Sequence, residues 1–170
     1  MEDEKKQNDV IVHPFPPVYD CKSKVLVLGS FPSVKSREDN FYYAHPRNRF
    51  WQILNIIYQM TATTVEEKKA LLSFVHIALY DSIYSCSITG SADSAISRIT
   101  PASITPILQK TEIDTILCNG TKSFSVYMEY CYPETNVKAI KMPSTSPANA
   151  AFSLSSLIAA WKPFLPSAGA

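Results

Sequence analysis

The stretch Lys24-Val-Leu-Val-Leu28, ended by Gly29, predicts the centre of the fold. A short apolar run with β-branched residues that stops at a glycine is typical of a buried parallel strand. Similar runs predict three further strands, at residues 76–80, 113–118 and 137–141. The segments between and around the strands favour helices, which are predicted at residues 47–59, 64–74, 101–110, 122–130 and 150–164. Strands that alternate with helices predict an α/β fold with a parallel sheet and helices on both of its faces.

Two segments lie outside this alternation. Residues 30–46 combine Pro, Ser and Asn with three adjacent aromatic residues and are predicted to form a long loop, which in a compact domain is usually functional or disordered. Residues 82–100 are rich in Ser and Thr and give no clear secondary structure. Thr64 is predicted to cap the helix that follows it.

The composition is typical of one folded domain. The chain has 170 residues, of which 46% are hydrophobic and 18% charged, as expected for a globular protein with a single core. We expect a domain at residues 13–166 after a flexible amino-terminal segment at residues 1–12. No apolar run approaches the roughly 20 residues of a membrane-spanning helix. The acidic, lysine-rich start lacks the apolar core of a signal peptide, so a cytoplasmic location is expected.

Several kinds of site are disfavoured by the motifs. The four cysteines and three histidines are scattered, whereas zinc and iron–sulfur sites take ligands in close pairs, so no metal is expected. No glycine-rich phosphate loop and no Gly-x-Ser-x-Gly motif follows a predicted strand. A small-molecule hydrolase that uses Ser30 or Ser33 remains an alternative, although these serines are better suited to bonding loop backbone. The net charge of +1 does not by itself indicate a nucleic-acid partner.

The topology nevertheless selects where a ligand would bind. In parallel sheets ligands lie beyond the carboxyl ends of the strands, which here means residues 29–51, 81–89, 119–121 and 142–150. The first segment offers backbone amides, aromatic faces, an amide side chain and arginines, and the last offers small polar side chains. Small residues allow backbone amides to approach phosphates, and aromatic faces beside basic residues suit a base that has left its stack.

Two long motifs carry a resemblance to a known family. Gly29-Ser-Phe-Pro-Ser33 together with Tyr43-Ala-His-Pro-Arg-Asn-Arg-Phe-Trp51 resembles the first motif of the uracil-DNA glycosylase superfamily. Pro143-Ser-Thr-Ser-Pro-Ala-Asn-Ala150 resembles the second motif, the loop that enters the minor groove. With Ile77-Ala-Leu-Tyr-Asp81 and Cys118-Asn-Gly120, the pattern is similar to that of the DNA-deoxyinosine (hypoxanthine-DNA) glycosylases of this superfamily over residues 14–162.

The resemblance implies a fold and an activity. The fold would be a three-layer α/β/α sandwich with a central four-stranded parallel sheet. The activity would be cofactor-free, monofunctional hydrolysis of the N-glycosidic bond of a deaminated base, hypoxanthine, in DNA, as a step of base-excision repair by a monomer. A uracil- or mismatch-directed glycosylase and a non-catalytic nucleic-acid-binding relative remain alternatives.

The sequence departs from the uracil-cleaving branch at both catalytic positions. That branch has an Asp where Phe31 stands and a catalytic His where Met142 stands. The resemblance to the deoxyinosine branch therefore assigns catalysis to Asn48. Its amide has no useful basicity, so it would orient a water molecule, accepting a water proton through its oxygen while donating elsewhere. The alternative role of Asn48 is to cap the following helix.

The remaining base-site residues have candidate roles of three kinds. Phe41, Tyr42 and Tyr43 are candidates to stack on the flipped base, and by its register Phe41 resembles the stacking phenylalanine of the superfamily. Packing in the core is the alternative, expected for at least one of the three. Asp81 would accept N1–H of hypoxanthine or N3–H of uracil, and Asn119 would contact the base or brace loops; for both, capping a turn or helix is the alternative. The backbone amides of Gly29, Ser30 and Phe31 would stabilise charge on the base.

Six residues are predicted to contact DNA: Arg47, Arg49, Ser144, Thr145, Ser146 and Asn149. The hydroxyl side chains would bind the phosphates that flank the flipped nucleotide, and a plain turn is the alternative. The arginines would contact phosphates or pair with Glu38 or Asp39. Since the second motif has no large apolar wedge, weak insertion into DNA and a preference for destabilised base pairs are expected.

Overall fold

The computed structural model describes residues 9–89 and 95–167. Within these ranges the chain forms seven strands: β1 (Val10–Val12), β2 (Val25–Gly29), β3 (Ile77–Asp81), β4 (Ile83–Ile88), β5 (Ile96–Pro101), β6 (Thr115–Asn119) and β7 (Ala139–Met142). The same ranges contain seven α-helices: α1 (Val34–Asp39), α2 (Phe50–Tyr58), α3 (Val65–Val75), α4 (Thr105–Gln109), α5 (Thr121–Val126), α6 (Tyr132–Thr135) and α7 (Leu154–Trp161).

The central sheet has four parallel strands in the order β3-β2-β6-β7. Every residue of β2 and β3 is buried, because a parallel sheet is covered by helices on both faces. This confirms the predicted α/β/α fold. The four strands occur where the apolar runs indicated, displaced by one or two residues.

A second, smaller sheet was not predicted. It is antiparallel, in the order β1-β4-β5, and its two long strands occupy most of residues 82–100, which the sequence left unassigned. Its edge strand corrects the expectation for the amino terminus: Val10–Val12 pair with Ser85–Ser87 and are not a flexible extension. Residues 1–8 of that expected segment lie outside the described residues.

The two sheets are joined by one residue of backbone. β3 ends at Asp81 and β4 begins at Ile83, and the intervening Ser82 donates its N–H to Gly29 O at 2.8 Å. The chain therefore leaves the carboxyl end of the parallel sheet and enters the small sheet without a loop. Asp81 lies at this junction.

Helix boundaries follow local hydrogen bonds. Thr64 caps α3 as predicted, since its hydroxyl accepts from Glu67 N–H and the Glu67 carboxylate accepts from Thr64 N–H, a capping box. The final helix begins at Leu154, later than predicted, because Ser153 caps it by accepting from Ser156 N–H. Beyond Val126, α5 widens into a π-helical turn at Tyr127–Cys131.

Residues 30–46 are not a continuous loop. They contain α1, whose first turn is capped by the Ser33 hydroxyl. Val34–Asp39 is mainly polar, so its sequence shows no apolar helical pattern. Among the helices of the described chain, none combines the length and the hydropathy needed to cross a membrane.

Candidate active site

A cleft of about 280 Å³ opens at the carboxyl ends of the central strands. Ten of the predicted site residues line it: Gly29, Ser30, Phe31, Tyr43, Asn48, Asp81, Asn119, Ser144, Thr145 and Ser146. Four predicted residues do not: Phe41, Arg47, Arg49 and Asn149. Segments that are far apart in sequence therefore converge on one cavity, as the topology required.

A chain of hydrogen bonds links three of these segments. Asn119, at the end of β6, donates from Nδ2 to Thr145 Oγ1 at 2.9 Å and accepts Thr145 N–H on Oδ1 at 3.0 Å. Thr145 Oγ1 in turn donates to Asn48 Oδ1 at 2.8 Å. Thr145 is fully buried, so its side chain braces the two asparagines and is not a surface ligand for phosphate, which corrects its predicted role.

The amide of Asn48 is oriented by two donors. Its Oδ1 accepts from Thr145 Oγ1 and also from Phe50 N–H at 3.0 Å, which places an amide oxygen at the start of α2. Asn48 thus satisfies the first N–H of α2, but the N-cap residue is Arg49. Because a carbonyl oxygen has two lone pairs, Oδ1 has little capacity left to accept a water proton. Nδ2 has no acceptor among the described residues, so the amide can act there as a donor.

Asp81 lies against Gly29 at the floor of the cleft. A Cβ at position 29 would come within 2.4 Å of Asp81 Oδ1 and 3.2 Å of Tyr43 Oη, so only glycine allows this approach. The other carboxylate oxygen, Oδ2, lies 2.6 Å from His13 Nε2. The side chains of His13 and Asp81 are 1% and 5% exposed. His13 was not predicted as a site residue, and its separation from Asp81 in the sequence leaves no local signal for the pair.

Tyr43 occupies the same floor in an unusual backbone conformation. Its φ of 53° is in the left-handed region, which residues other than glycine seldom adopt. Its ring packs 4.3 Å from that of Phe50, and its buried hydroxyl has no hydrogen-bond partner among the described residues. Burial raises the pKa of Tyr43, and the Asp81 carboxylate raises it further. Tyr43 therefore stays a protonated phenol.

Phe41 does not lie in the cleft, contrary to the prediction from its register. Its side chain is 4% exposed and stacks on Trp51 with ring centroids 5.9 Å apart and an interplanar angle of 16°. It belongs to the hydrophobic core. Phe31 is the aromatic residue of the first motif that both lines the cleft and meets His13 edge-on, at 5.9 Å.

Arg49 serves the protein's own backbone instead of a phosphate. Its Nη2 donates to the carbonyls of Ser146 and Asn149 at 2.8 and 2.9 Å, and its Nη1 donates to that of Phe152. Its backbone N–H donates to Thr145 O at 3.0 Å. These bonds tie the second motif to the start of α2 and correct the predicted DNA-contacting role.

The other predicted DNA contacts are distributed unevenly. Arg47 is exposed and lies outside the cleft, whereas Arg37, which was not predicted, lines it. Asn149 donates from Nδ2 to Ser144 O at 3.0 Å and thereby closes the loop. Lys35, not an arginine, pairs with Asp39, at 3.2 Å. Across residues 9–89 and 95–167, no three His, Cys, Asp or Glu side chains are grouped so that they could hold a metal ion.

Fold and cleft together define an α/β domain with a cleft at the carboxyl ends of a parallel sheet, lined by amides, hydroxyls and a buried carboxylate. Sequence comparison extends this. The chain belongs to the uracil DNA glycosylase superfamily, whose sequence profile matches residues 16–164.

Named relatives agree with this membership. The chain is 31% identical over 144 residues to a hypoxanthine DNA glycosylase of Methanosarcina acetivorans, covering 82% of this chain and 89% of the relative. It is 31% identical over 113 residues to a hypoxanthine DNA glycosylase of Methanosarcina barkeri, covering 64% of this chain and 71% of the relative. A M. acetivorans protein solved by solution NMR and provisionally assigned as a uracil DNA glycosylase superposes with a TM-score of 0.75 at 27% identity, over 92% of this chain and 99% of that one.

Proposed function

We propose that this glycosylase releases hypoxanthine from deoxyinosine in DNA by hydrolysing the N-glycosidic bond, and that Asn48 is its catalytic residue. The observation that carries the residue assignment is the hydrogen-bond chain from Asn119 through Thr145, which brings the Asn48 amide to the cleft in one orientation. The names of the two Methanosarcina relatives support the choice of base. The products are free hypoxanthine and an abasic site, as in the first step of base-excision repair.

The reaction proceeds by breaking the C1′–N9 bond before water adds. The bonding electron pair leaves with the base, and the deoxyribose develops oxocarbenium character. A water oxygen then forms a bond to C1′, one water proton is lost, and the base gains a proton. A strong general base is unnecessary once the bond is largely broken, so an amide can take the place of a carboxylate.

Asn48 acts on the water as a donor. Since Oδ1 already accepts two hydrogen bonds, Nδ2–H binds one lone pair of the water and leaves the other directed at C1′. This orientation replaces the acceptor role expected from the sequence. Holding a reacting group in its productive geometry accounts for a large part of enzymatic rate enhancement.

The floor of the cleft binds the base. The Asp81 carboxylate accepts N1–H of hypoxanthine, and Phe31 offers an aromatic face beside it. The backbone amides near Ser30 and Phe31 stabilise negative charge on the departing base, as in an oxyanion hole. Uracil presents an equivalent N3–H, so the same acceptor makes uracil the second candidate base.

The rim of the cleft binds the DNA backbone. Ser144 and Ser146 line the cleft on the second motif, and Arg37 approaches it from α1. The exposed Arg47 extends this rim outside the cleft. Pro147 and Ala148 form the exposed tip of the loop and, being small, fit a preference for mismatched or single-stranded substrates.

The test is a panel of duplexes that contain hypoxanthine, uracil or xanthine, with cleavage of the abasic product read on a gel. We expect the purified protein to release hypoxanthine fastest, and Asn48→Ala to slow release by about 100-fold or more. The substitution also removes the oxygen that accepts Phe50 N–H, and such a hydrogen bond contributes about 1 kcal/mol to stability.

Thr64→Ala is the matched control, because it removes the capping hydroxyl of α3 far from the cleft. It should lose similar stability and keep its activity. A fully active Asn48→Ala protein would refute the catalytic assignment. Binding to inosine DNA without release of any base would indicate a non-catalytic relative instead.

A further inference from the structure

We infer that His13 is a positioning residue for base recognition: through its ring it holds the Asp81 carboxylate as the acceptor of the ring N–H of a deaminated base. This rests on the proposed function. It brings the residue that follows β1, which neither motif includes, into the recognition site.

The first observation is the contact itself. His13 Nε2 and Asp81 Oδ2 are 2.6 Å apart, and both side chains are almost fully buried. An ionised carboxylate has no proton to donate, so Nε2 carries the shared proton and donates it to Oδ2. The other ring nitrogen, Nδ1, is buried without a partner among the described residues.

The second observation is how tightly the His13 ring is held. Four aromatic rings surround it, those of Phe15, Phe31, Tyr42 and Tyr80, with centroids 4.8 to 6.1 Å away. The backbone is held as well, since His13 N–H donates to Tyr84 O at 2.7 Å. A ring confined in this way offers its Nε2–H in one direction and gives Asp81 one carboxylate orientation.

The third observation concerns energetics. Burying a charged or strongly polar pair costs desolvation, and well-packed apolar replacements are often as stable or more stable. The aromatic surroundings of His13 would accept an apolar ring, so stability alone is a weak reason for this pair. Buried titratable groups with a specific partner, lying in a cleft, are characteristic of functional sites.

The location of Asp81 indicates a role in recognising the base. It lines the cleft at the end of β3, with Oδ1 against the backbone of Gly29. A carboxylate there accepts the N1–H of hypoxanthine, whereas adenine has a bare N1 lone pair that the carboxylate repels. Without the His13 donor, the Asp81 carboxylate is no longer held in that orientation, and the preference for the deaminated base falls.

The experiment pairs a change in the protein with a change in the base. Single-turnover release is measured on DNA with deoxyinosine and on DNA with 1-methyldeoxyinosine, in which a methyl group replaces the N1–H. A hydrogen bond to a charged acceptor predicts that the wild type prefers deoxyinosine by about tenfold to 100-fold. In His13→Phe this ratio should fall by about tenfold. His13→Gln, which retains a donor N–H, should restore part of it.

Phe41→Leu is the matched control, since it disturbs the neighbouring aromatic core at Tyr42 and Trp51 without removing a ring that contacts His13. It should slow both substrates equally and keep the wild-type ratio. His13→Met serves as a second apolar variant if His13→Phe does not fold.

Three results would overturn the inference. The first is an unchanged ratio between the two substrates in folded His13 variants. The second is a wild-type ratio near one in an active enzyme. Either of these would leave the proposed function intact. The third is a wild type that releases no base from inosine DNA, which would remove the proposed function and this inference together.

Discussion

Tyr42 and Tyr43 are adjacent residues whose hydroxyls have opposite hydrogen-bonding states. Tyr42 donates to Pro16 O at 2.9 Å, whereas the buried Tyr43 hydroxyl has no partner among the described residues. A desolvated hydroxyl without a partner is unfavourable, and it persists in native proteins mainly where function requires it. Its place at the floor of the cleft, beside Gly29 and Asp81, fits that explanation.

This difference predicts opposite effects of the same substitution. Tyr43→Phe should leave the free energy of unfolding unchanged or raise it by about 1 kcal/mol, because it removes an unsatisfied buried group. Tyr42→Phe should lower it by about 1 kcal/mol, because it leaves the Pro16 carbonyl without its donor. Urea unfolding of both variants measures the two values. Equal destabilisation of both would mean that the Tyr43 hydroxyl has a partner in solution.

At the scale of single residues, the sequence predicted which side chains reach the cleft better than what they do there. Asn48, Asp81 and Asn119 follow strands or strand-linked motifs, so topology was enough to bring them together. Arg49 looked like a phosphate ligand because a guanidinium binds phosphate well, but it satisfies backbone carbonyls more than 90 residues away in sequence. The His13–Asp81 contact also joins residues far apart in the sequence, so no local pattern indicates it.

At the scale of elements, the second motif is shaped by its attachment to α2. Arg49 lies at the start of α2 and bonds the carbonyls of three loop residues, Ser146, Asn149 and Phe152. Trp161, in the last turn of α7, donates from its indole to Pro143 O at 3.0 Å. The loop is therefore held at both of its ends before any DNA arrives, which lowers the entropic cost of binding.

Replacing Arg49 by lysine should loosen this loop. Lysine cannot reproduce the planar fork of donors, so backbone amides of residues 145–149 should exchange with solvent faster. Affinity for inosine DNA should fall by about tenfold, equivalent to about 1.4 kcal/mol. Arg47→Lys is the matched control, since Arg47 is exposed two residues earlier, and it should leave exchange in the loop unchanged. Unaltered exchange in Arg49→Lys would contradict the clamp.

The elements differ in how far their sequences reveal them. The central strands are apolar throughout because they are buried on both faces, and such runs are easy to recognise. The antiparallel strands β4 and β5 carry serines and threonines, partly because no residue of β5 is fully buried, so their pattern resembled a loop. α1 has one buried residue, Ser36, and no apolar face that could have indicated a helix.

At the scale of the whole molecule, three of the four cysteines report on the integrity of the core. Cys86, Cys118 and Cys131 are buried and Cys21 is exposed, all with free thiols. Burial raises the pKa of Cys118 to about 12 and that of Cys131 to about 11, and it also raises the pKa of Cys86. Since the thiolate is the reactive form, raised pKa values lower reactivity at neutral pH.

A thiol titration should therefore distinguish folded from unfolded protein. At about pH 8, a disulfide reagent should react quickly with Cys21 alone in the native protein. In denaturant, all four cysteines should react. Cys21→Ser should abolish the fast phase and leave the other three thiols protected. Rapid reaction of two or more thiols in the native protein would mean that the core opens more readily than its packing indicates.

The hydrogen-bond chain from Asn119 through Thr145 to Asn48 also bears on any attempt to redesign the enzyme. A second motif taken from a relative and grafted onto this protein would bring its own residue at position 145. The side chains that bond this residue, Asn48 and Asn119, would remain those of the host. Transplantation of a loop that lacks a hydroxyl at position 145 should give an inactive chimera, because the amide of Asn48 would lose one of the two donors that orient it. The smallest exchangeable unit is the loop together with positions 48, 49 and 119.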